Sequence, residues 1–235
     1  MYINFWYPVA RSQDLGRTPL KVRILAHDLV AFRDQAGHAA VLSDTCAHRG
    51  ASLSAGKCKE DGTVQCPYHG WRFDTRGVCT RIPSIGSKTR PPPRARVDAY
   101  PVEERYGIVF AFLGDLPEAS RPPIMAVNER NAYIASQDIR VMNTVQPRLT
   151  PPSRTKELMM PADRCILQYR DKLDEFRRQG WKLDLPAIQA ARARGDTIFA
   201  IPCPARRVTR AWVLDEAPRL APASSETSAV LQVAG

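Results

Sequence analysis

Apolar residues in the first half of the chain come in short runs split by turn residues. Lys21-Val22-Arg23-Ile24-Leu25, Leu29-Val30-Ala31-Phe32 and Ala39-Ala40-Val41-Leu42 are too short for helices and predict β-strands, the last two joined through an Asp34-Gln35-Ala36-Gly37 turn. Gly62-Thr63-Val64-Gln65-Cys66 and Trp71-Arg72-Phe73-Asp74 predict two more, and Ile108-Val109-Phe110-Ala111-Phe112-Leu113 reads as a buried strand. Between them, residues 83–101 include Pro91-Pro92-Pro93 and predict a long, stiff loop without ladder donors. A proline-rich break at 117–123 ends this β-rich part.

Beyond the break the period changes. Residues 133–135 predict the start of a strand, and 147–153 a turn or unpaired linker. Ile166, Leu167, Tyr169, Leu173 and Phe176 recur at helical spacing within 162–179, with Gly180 as a stop. Residues 186–194 predict a second short helix that starts at Pro186 and ends at Gly195. The tail from Pro218, rich in Ala, Ser and Pro, predicts disorder.

Two runs within the β-rich part carry chemistry: Cys46-Ala47-His48-Arg49-Gly50 and Cys66-Pro67-Tyr68-His69-Gly70-Trp71. Together Cys46, His48, Cys66 and His69 supply two thiolates and two imidazoles at the spacing of a [2Fe–2S] centre in which cysteines hold one iron and histidines the other. With two ferric irons, two sulfides and two thiolates such a cluster is formally neutral, so it accepts an electron more readily than one held by four thiolates. That is why His-ligated centres span roughly −150 to +300 mV against about −400 mV for all-cysteine plant-type ones. Gly50 and Gly70 let each loop turn and aim backbone amides at the sulfurs. A structural zinc site is the rival, but zinc motifs pair Cys with Cys and His with His, whereas each half here pairs one of each.

On these residues, and on the opening Asn4-Phe5-Trp6-Tyr7-Pro8-Val9-Ala10, the chain resembles the Rieske non-haem iron aromatic-ring-hydroxylating oxygenase α subunits of the phthalate dioxygenase and vanillate demethylase type. It fits the respiratory-complex Rieske proteins less well, since the places of their extra loop cysteines and serine hold Ala51, Tyr68 and Trp71. Fewer polar donors to the sulfurs imply a potential toward the low end of the range. The resemblance resumes at Arg154-Thr155-Lys156-Glu157-Leu158, Met160-Pro161-Ala162-Asp163-Arg164, Gly180-Trp181-Lys182-Leu183-Asp184 and Ile201-Pro202-Cys203-Pro204-Ala205-Arg206-Arg207. It implies a mainly β protein: a Rieske-type antiparallel β domain with cluster-binding loops at 1–116, a linker with a partial strand at 117–153, a helical segment at 154–217 like the end of an oxygenase catalytic domain (a small α/β remnant), and a disordered tail at 218–235.

In that family the cluster feeds a mononuclear Fe(II) held by two histidines and a carboxylate. This chain has four histidines, His27, His38, His48 and His69, and none follows His69. The stretch that should bring the iron ligands is missing between about Ile134 and Arg154, so the mononuclear site is expected to be absent and no catalytic residue is assigned. His27 and His38 flank the predicted hairpin turn, with His38 expected near Arg33 and His27 near Asp44, and both read as surface or loop residues. Asp163, Asp171, Asp174 and Glu175 read as the solvated face of the first helix.

Composition narrows the classes without choosing among them. At 235 residues, 44% hydrophobic and 25% charged, the chain is of ordinary globular composition. No apolar run approaches a membrane span and the first residues lack a signal-peptide pattern, so the cytoplasm is the expected compartment and no membrane partner is expected. Cys58, Cys79, Cys165 and Cys203 lack paired spacing and read as reduced structural thiols. The formal net charge of +10 suits either an acidic electron donor, a ferredoxin or a reductase, or mere solubility; no nucleic-acid motif accompanies it. The helix's apolar stripe must be buried on the Rieske domain, on another subunit or not at all, which favours an oxygenase sister subunit or a second copy of the chain as partner. Three functions follow: a one-electron Rieske component of a ring-hydroxylating oxygenase system, an oxygenase using a partner-supplied or unusual iron site, or a non-catalytic remnant.

Overall fold

Leu29-Val30-Ala31-Phe32 is apolar at every position because both faces of its strand are covered. The computed structural model describes residues 1–124, 160–209 and 212–222. Three antiparallel sheets form its β-rich part. A four-stranded one has the order β2 (Leu20–Ile24), β3 (His27–Arg33), β4 (Ala39–Ser43), β9 (Ala99–Tyr100). A three-stranded one runs β1 (Phe5–Arg11), β11 (Ile108–Leu113), β10 (Val102–Arg105). The third is built from two- and three-residue strands, β5 (Lys57–Cys58), β6 (Val64–Gln65), β7 (Arg72–Phe73) and β8 (Cys79–Arg81).

The β3–β4 hairpin divides two cores. Leu29, Ala31 and Val41 face one side and pack with Val109, Ala111 and Leu113 of β11. Val30, Phe32, Ala40 and Leu42 face the other and pack with Leu53, Val64, Phe73 and Cys79. The period of two assigns alternate residues to alternate cores, and each large side chain so buried contributes about 1.5–3 kcal/mol.

The described chain divides into two compact units, Met1–Pro122 with Arg177–Gly235, and Pro123–Phe176. In the first, the C-terminal segment is stitched to the N-terminus: the Ile3 N–H donates to the Trp181 carbonyl (3.0 Å) and the Leu183 N–H to that of Met1 (3.1 Å). Leu183, Ile188, Ile201, Cys203 and Ala217 then complete the first core. A buried ion pair fastens the same segment. Arg206 donates to both Asp98 oxygens (2.6 and 2.8 Å) and to the Leu214 carbonyl (3.0 Å), with its side chain 7% exposed and that of Asp98 1%. Arg206 and Arg96 each lie over the Trp212 ring, at 4.5 and 4.4 Å.

Both predicted helices form. α1 spans Arg164–Arg178 and α2 spans Leu185–Arg194. Asp184 caps α2 by accepting from the Ala187 N–H (3.1 Å), and Gly195 ends it in the left-handed conformation (φ 71°). α1 has no buried residue, and Ile166 and Tyr169 on its predicted apolar stripe are 43% and 63% exposed. No helix of the described residues is long and apolar enough to cross a membrane.

Several expectations change. His27 is a buried strand residue, not a surface one, because it starts the strand covered on both faces. The hairpin pairs Arg33 with Ala39 and brings the Asp44 N–H to the Asp28 carbonyl, one residue from the predicted register, since the turn closes between Asp34 and His38. The proline-rich loop is interrupted by β9, which pairs with Val41 and Leu42. Residues 133–135 and 147–153 and most of the tail, from residue 223 on, lie outside the described residues.

Replacing Asp98 by Asn should leave a buried guanidinium without its counter-charge and lower stability by about 3–5 kcal/mol. Urea unfolding followed by circular dichroism checks this, and a loss near zero would mean that the clasp does not hold the segment.

Candidate iron–sulfur centre

The two motif loops fold alike. Loop 1 leaves β4, loop 2 joins β6 to β7, and each turns back on itself within five residues. The Gly50 N–H donates to the Cys46 carbonyl (2.9 Å) and the Gly70 N–H to the Cys66 carbonyl (3.2 Å). The two cysteine N–H groups in turn donate to the Ala51 and Trp71 carbonyls (2.9 and 2.8 Å). Both glycines take φ near +70°, a conformation that a Cβ would strain, and a Cβ at Gly70 would also press on Pro83 Cγ at 3.1 Å.

The paired turns bring the four predicted residues together in two layers. Cys46 and Cys66 are 1% and 2% exposed at the floor, in the second core. His48 and His69 stand above them at the surface, their ring centroids 4.5 Å apart and their planes at 66°. Trp71 stacks on His48 at 4.6 Å with planes 3° apart, and Tyr68 lies against His69 at 3.8 Å.

Burial, joined by the neighbouring Cys66 sulfur, pushes the Cys46 thiol up to about 12, against the pull of the His48 and Arg49 backbone N–H groups. A thiol so placed ionises only beside a cation, and iron supplies that charge. Desolvation, followed by the charges of His69 and Arg49, moves His48 below the ordinary imidazole range and favours the neutral, ligating form. The donors do not converge on one point: among the described residues no group of three or more His, Cys, Asp or Glu side chains could hold a single ion. Two sulfur donors below and two nitrogen donors above fit a two-iron cluster, with one pair for each iron, rather than one tetrahedral zinc.

Residues 5–101 match the Rieske [2Fe-2S] domain family. The chain carries a Rieske domain. Its relatives are Rieske oxygenase subunits. Over 119 residues it is 46% identical to the oxygenase subunit of the tert-butanol monooxygenase / tert-amyl alcohol desaturase of Aquincola tertiaricarbonis, covering 51% of this chain and 25% of that protein. It is equally 46% identical over 119 residues to phenoxybenzoate dioxygenase subunit alpha of Ectopseudomonas oleovorans, covering 51% and 28%. Dicamba monooxygenase, solved with non-heme iron and dicamba, is 35% identical over 52% of this chain and 37% of its own, with a TM-score of 0.46. The match thus spans about a quarter of the length of the two curated relatives.

The other cysteines and histidines of the first unit lie elsewhere. Cys79 and Cys58 sit in or against the second core, each pushed up to about 11 by burial, and Cys203, pushed to about 12, is in the first core. His38 is exposed at the hairpin tip beside Asp34 (3.5 Å), while His27 begins the strand at the hairpin's other end, so the two do not meet. The sequence reading gave no role to Trp71 or Asp44. Asp44, 2% exposed, ties down the return of loop 1 by accepting from the Ser52 hydroxyl, the Ser54 N–H (2.6 Å) and the Ser54 hydroxyl (2.9 Å). Ser52 and Ser54 lie 8 and 10 residues beyond Asp44, outside the range of local side-chain motifs, so the sequence offered no local signal for these bonds.

Cys66→Ala should abolish retained iron and acid-labile sulfide after anaerobic purification, whereas Gly70→Ala should leave a reduced amount. Equal retention in wild type and Cys66→Ala would remove Cys66 from the ligand set.

Proposed function

We propose that this chain is a one-electron component of an aromatic-ring-hydroxylating oxygenase system, with Cys46 and Cys66 holding one iron of a Rieske [2Fe–2S] cluster and His48 and His69 the other. When bound, the cluster supplies a one-electron couple. The observation that carries the reading is the polarity of the donor set, thiols buried and imidazoles exposed. His48 and His69 offer a short route for an electron at the surface, while the second core shields the sulfur side from water. Tyr68, 62% exposed, and Trp71 flank that surface with flat apolar area on which a partner can seat.

The partner in this reading is acidic, a ferredoxin or a reductase. Arg49 is exposed beside His48 and has no carboxylate partner among the described residues. The chain's net charge of +10 points the same way. Six free thiols suit a reducing compartment, which supports the cytoplasm. We assign the Rieske domain to 1–116, a linker to 117–153 and the oxygenase-tail-like segment to 154–217, and take the reduction potential to lie in the lower part of the Rieske range. A second reading, favoured by relatives that are oxygenase subunits, is an oxygenase whose mononuclear Fe(II) comes from unusual ligands or from a partner subunit.

Iron and acid-labile sulfide per chain, with EPR of the dithionite-reduced protein, decide between them. Two irons and two sulfides per chain with only a Rieske signal, reducible by a ferredoxin or reductase, are expected of the one-electron component. A third iron that turns over oxygen would replace it with the oxygenase. A loaded cluster that no protein donor reduces would make the chain a non-catalytic remnant.

A further inference from the structure

A metal-ligating imidazole is ordinarily oriented by its second nitrogen, which donates to a carboxylate, a carbonyl or water and so fixes the ring plane. Among the described residues none hydrogen-bonds a side-chain nitrogen of His48, which stands exposed on loop 1. The last torsion of a histidine is broad, so a ring without such a bond is free to turn.

Trp71 meets that ring face to face. The two centroids are 4.6 Å apart and the planes 3° apart, a contact that rotation of the imidazole would break. Trp71 is itself held from below. Its carbonyl accepts from the Cys66 N–H (2.8 Å), and its side chain packs on the second core, 6.5 Å from the ring of the fully buried Phe73. A side chain of loop 2, anchored in the floor, thus lies on a ligand carried by loop 1.

His69 is placed differently. Besides His48, its ring neighbour is Tyr68, the preceding residue of its own loop, 3.8 Å away with the planes tilted by 38°. Tyr68 is 62% exposed and so has no comparable anchor in the core.

From this asymmetry we infer that Trp71 is a positioning residue for the cluster, setting the plane of the His48 imidazole at its iron and shielding one face of that ring from water. The inference rests on the ligand set proposed above and adds that the two histidines are not equivalent. The shield has a direction: a formally neutral cluster becomes negative on reduction, so water in place of the indole would favour the reduced form and raise the potential.

Electron spin-echo envelope modulation of the dithionite-reduced, cluster-loaded chain tests it, because the couplings of the two ligating histidine nitrogens are resolved separately. Trp71→Leu should shift or broaden one of the two couplings and raise the midpoint potential, with iron and sulfide per chain retained. Trp71→Phe, which keeps a flat ring, should bring that coupling and the potential back toward wild type, and Tyr68→Leu should leave that coupling in place. Two unchanged couplings in Trp71→Leu would overturn the inference while the ligand set stands. So would a shift that Trp71→Phe does not lessen or that Tyr68→Leu reproduces. A wild-type chain that loads no Rieske cluster would remove the ligand set and the inference with it. If Trp71→Leu does not load, Trp71→Met, which fills more of the space without a ring, is read in its place.

Discussion

Two thiols side by side in an apolar core are the constraint around which the first 122 residues are arranged. Cys46 sits where burial and the neighbouring Cys66 sulfur oppose its thiolate. A fold that brings them together gains nothing from the pair by itself, because neither sulfur finds a countercharge there. The cost is offset only when a cation arrives, which ties cluster insertion to the stability of the loops that present it. The third sheet makes that tie strong: strands of two and three residues are too short to stand alone and hold their register through the second core and the loop turns.

The β3–β4 hairpin carries the load in the other direction. Because its alternate residues belong to different cores, a change of volume at Leu42 or Phe32 moves the cluster floor, while one at Leu29 or Val41 moves the packing of β11 and of the C-terminal segment. The hairpin is also held at its far edge, where β9 leads out of Asp98, the acid of the clasp with Arg206. The C-terminal segment therefore shares a mechanical path with the Rieske domain that runs through named side chains rather than through mere proximity.

What was legible in the sequence was what local chemistry controls. The continuous apolar run at Leu29-Val30-Ala31-Phe32, the glycine stop at Gly195 and the Cys/His spacing each state their structure within a few residues. What escaped depends on partners far along the chain. Phe5–Arg11 is a strand because β11 pairs with it, and Pro8 in its middle hides the pattern. His27 was read as exposed because nothing nearby announces that the C-terminal segment covers it. Arg206 looked like one arginine in a basic stretch; its burial against Asp98 is a long-range fact. The paired loop turns were legible, but the stacking of Trp71 on His48 was not, since spacing alone does not orient a ring.

The two loops turn alike yet lean on different things. Gly70 of loop 2 is backed by Pro83, a neighbour in sequence, while Gly50 of loop 1 is approached by Ile198, whose Cδ1 lies 3.3 Å from where a Cβ would stand. Loop 2 is thus supported from within the part of the chain that matches the Rieske family, and loop 1 also from a segment beyond it. A segment whose only task was to pack on a separate sheet would have no reason to touch a cluster loop. Here it fills the first core, clasps Asp98 and walls a cavity behind loop 1, so the packing of one iron's loop depends on residues nearly the whole chain away.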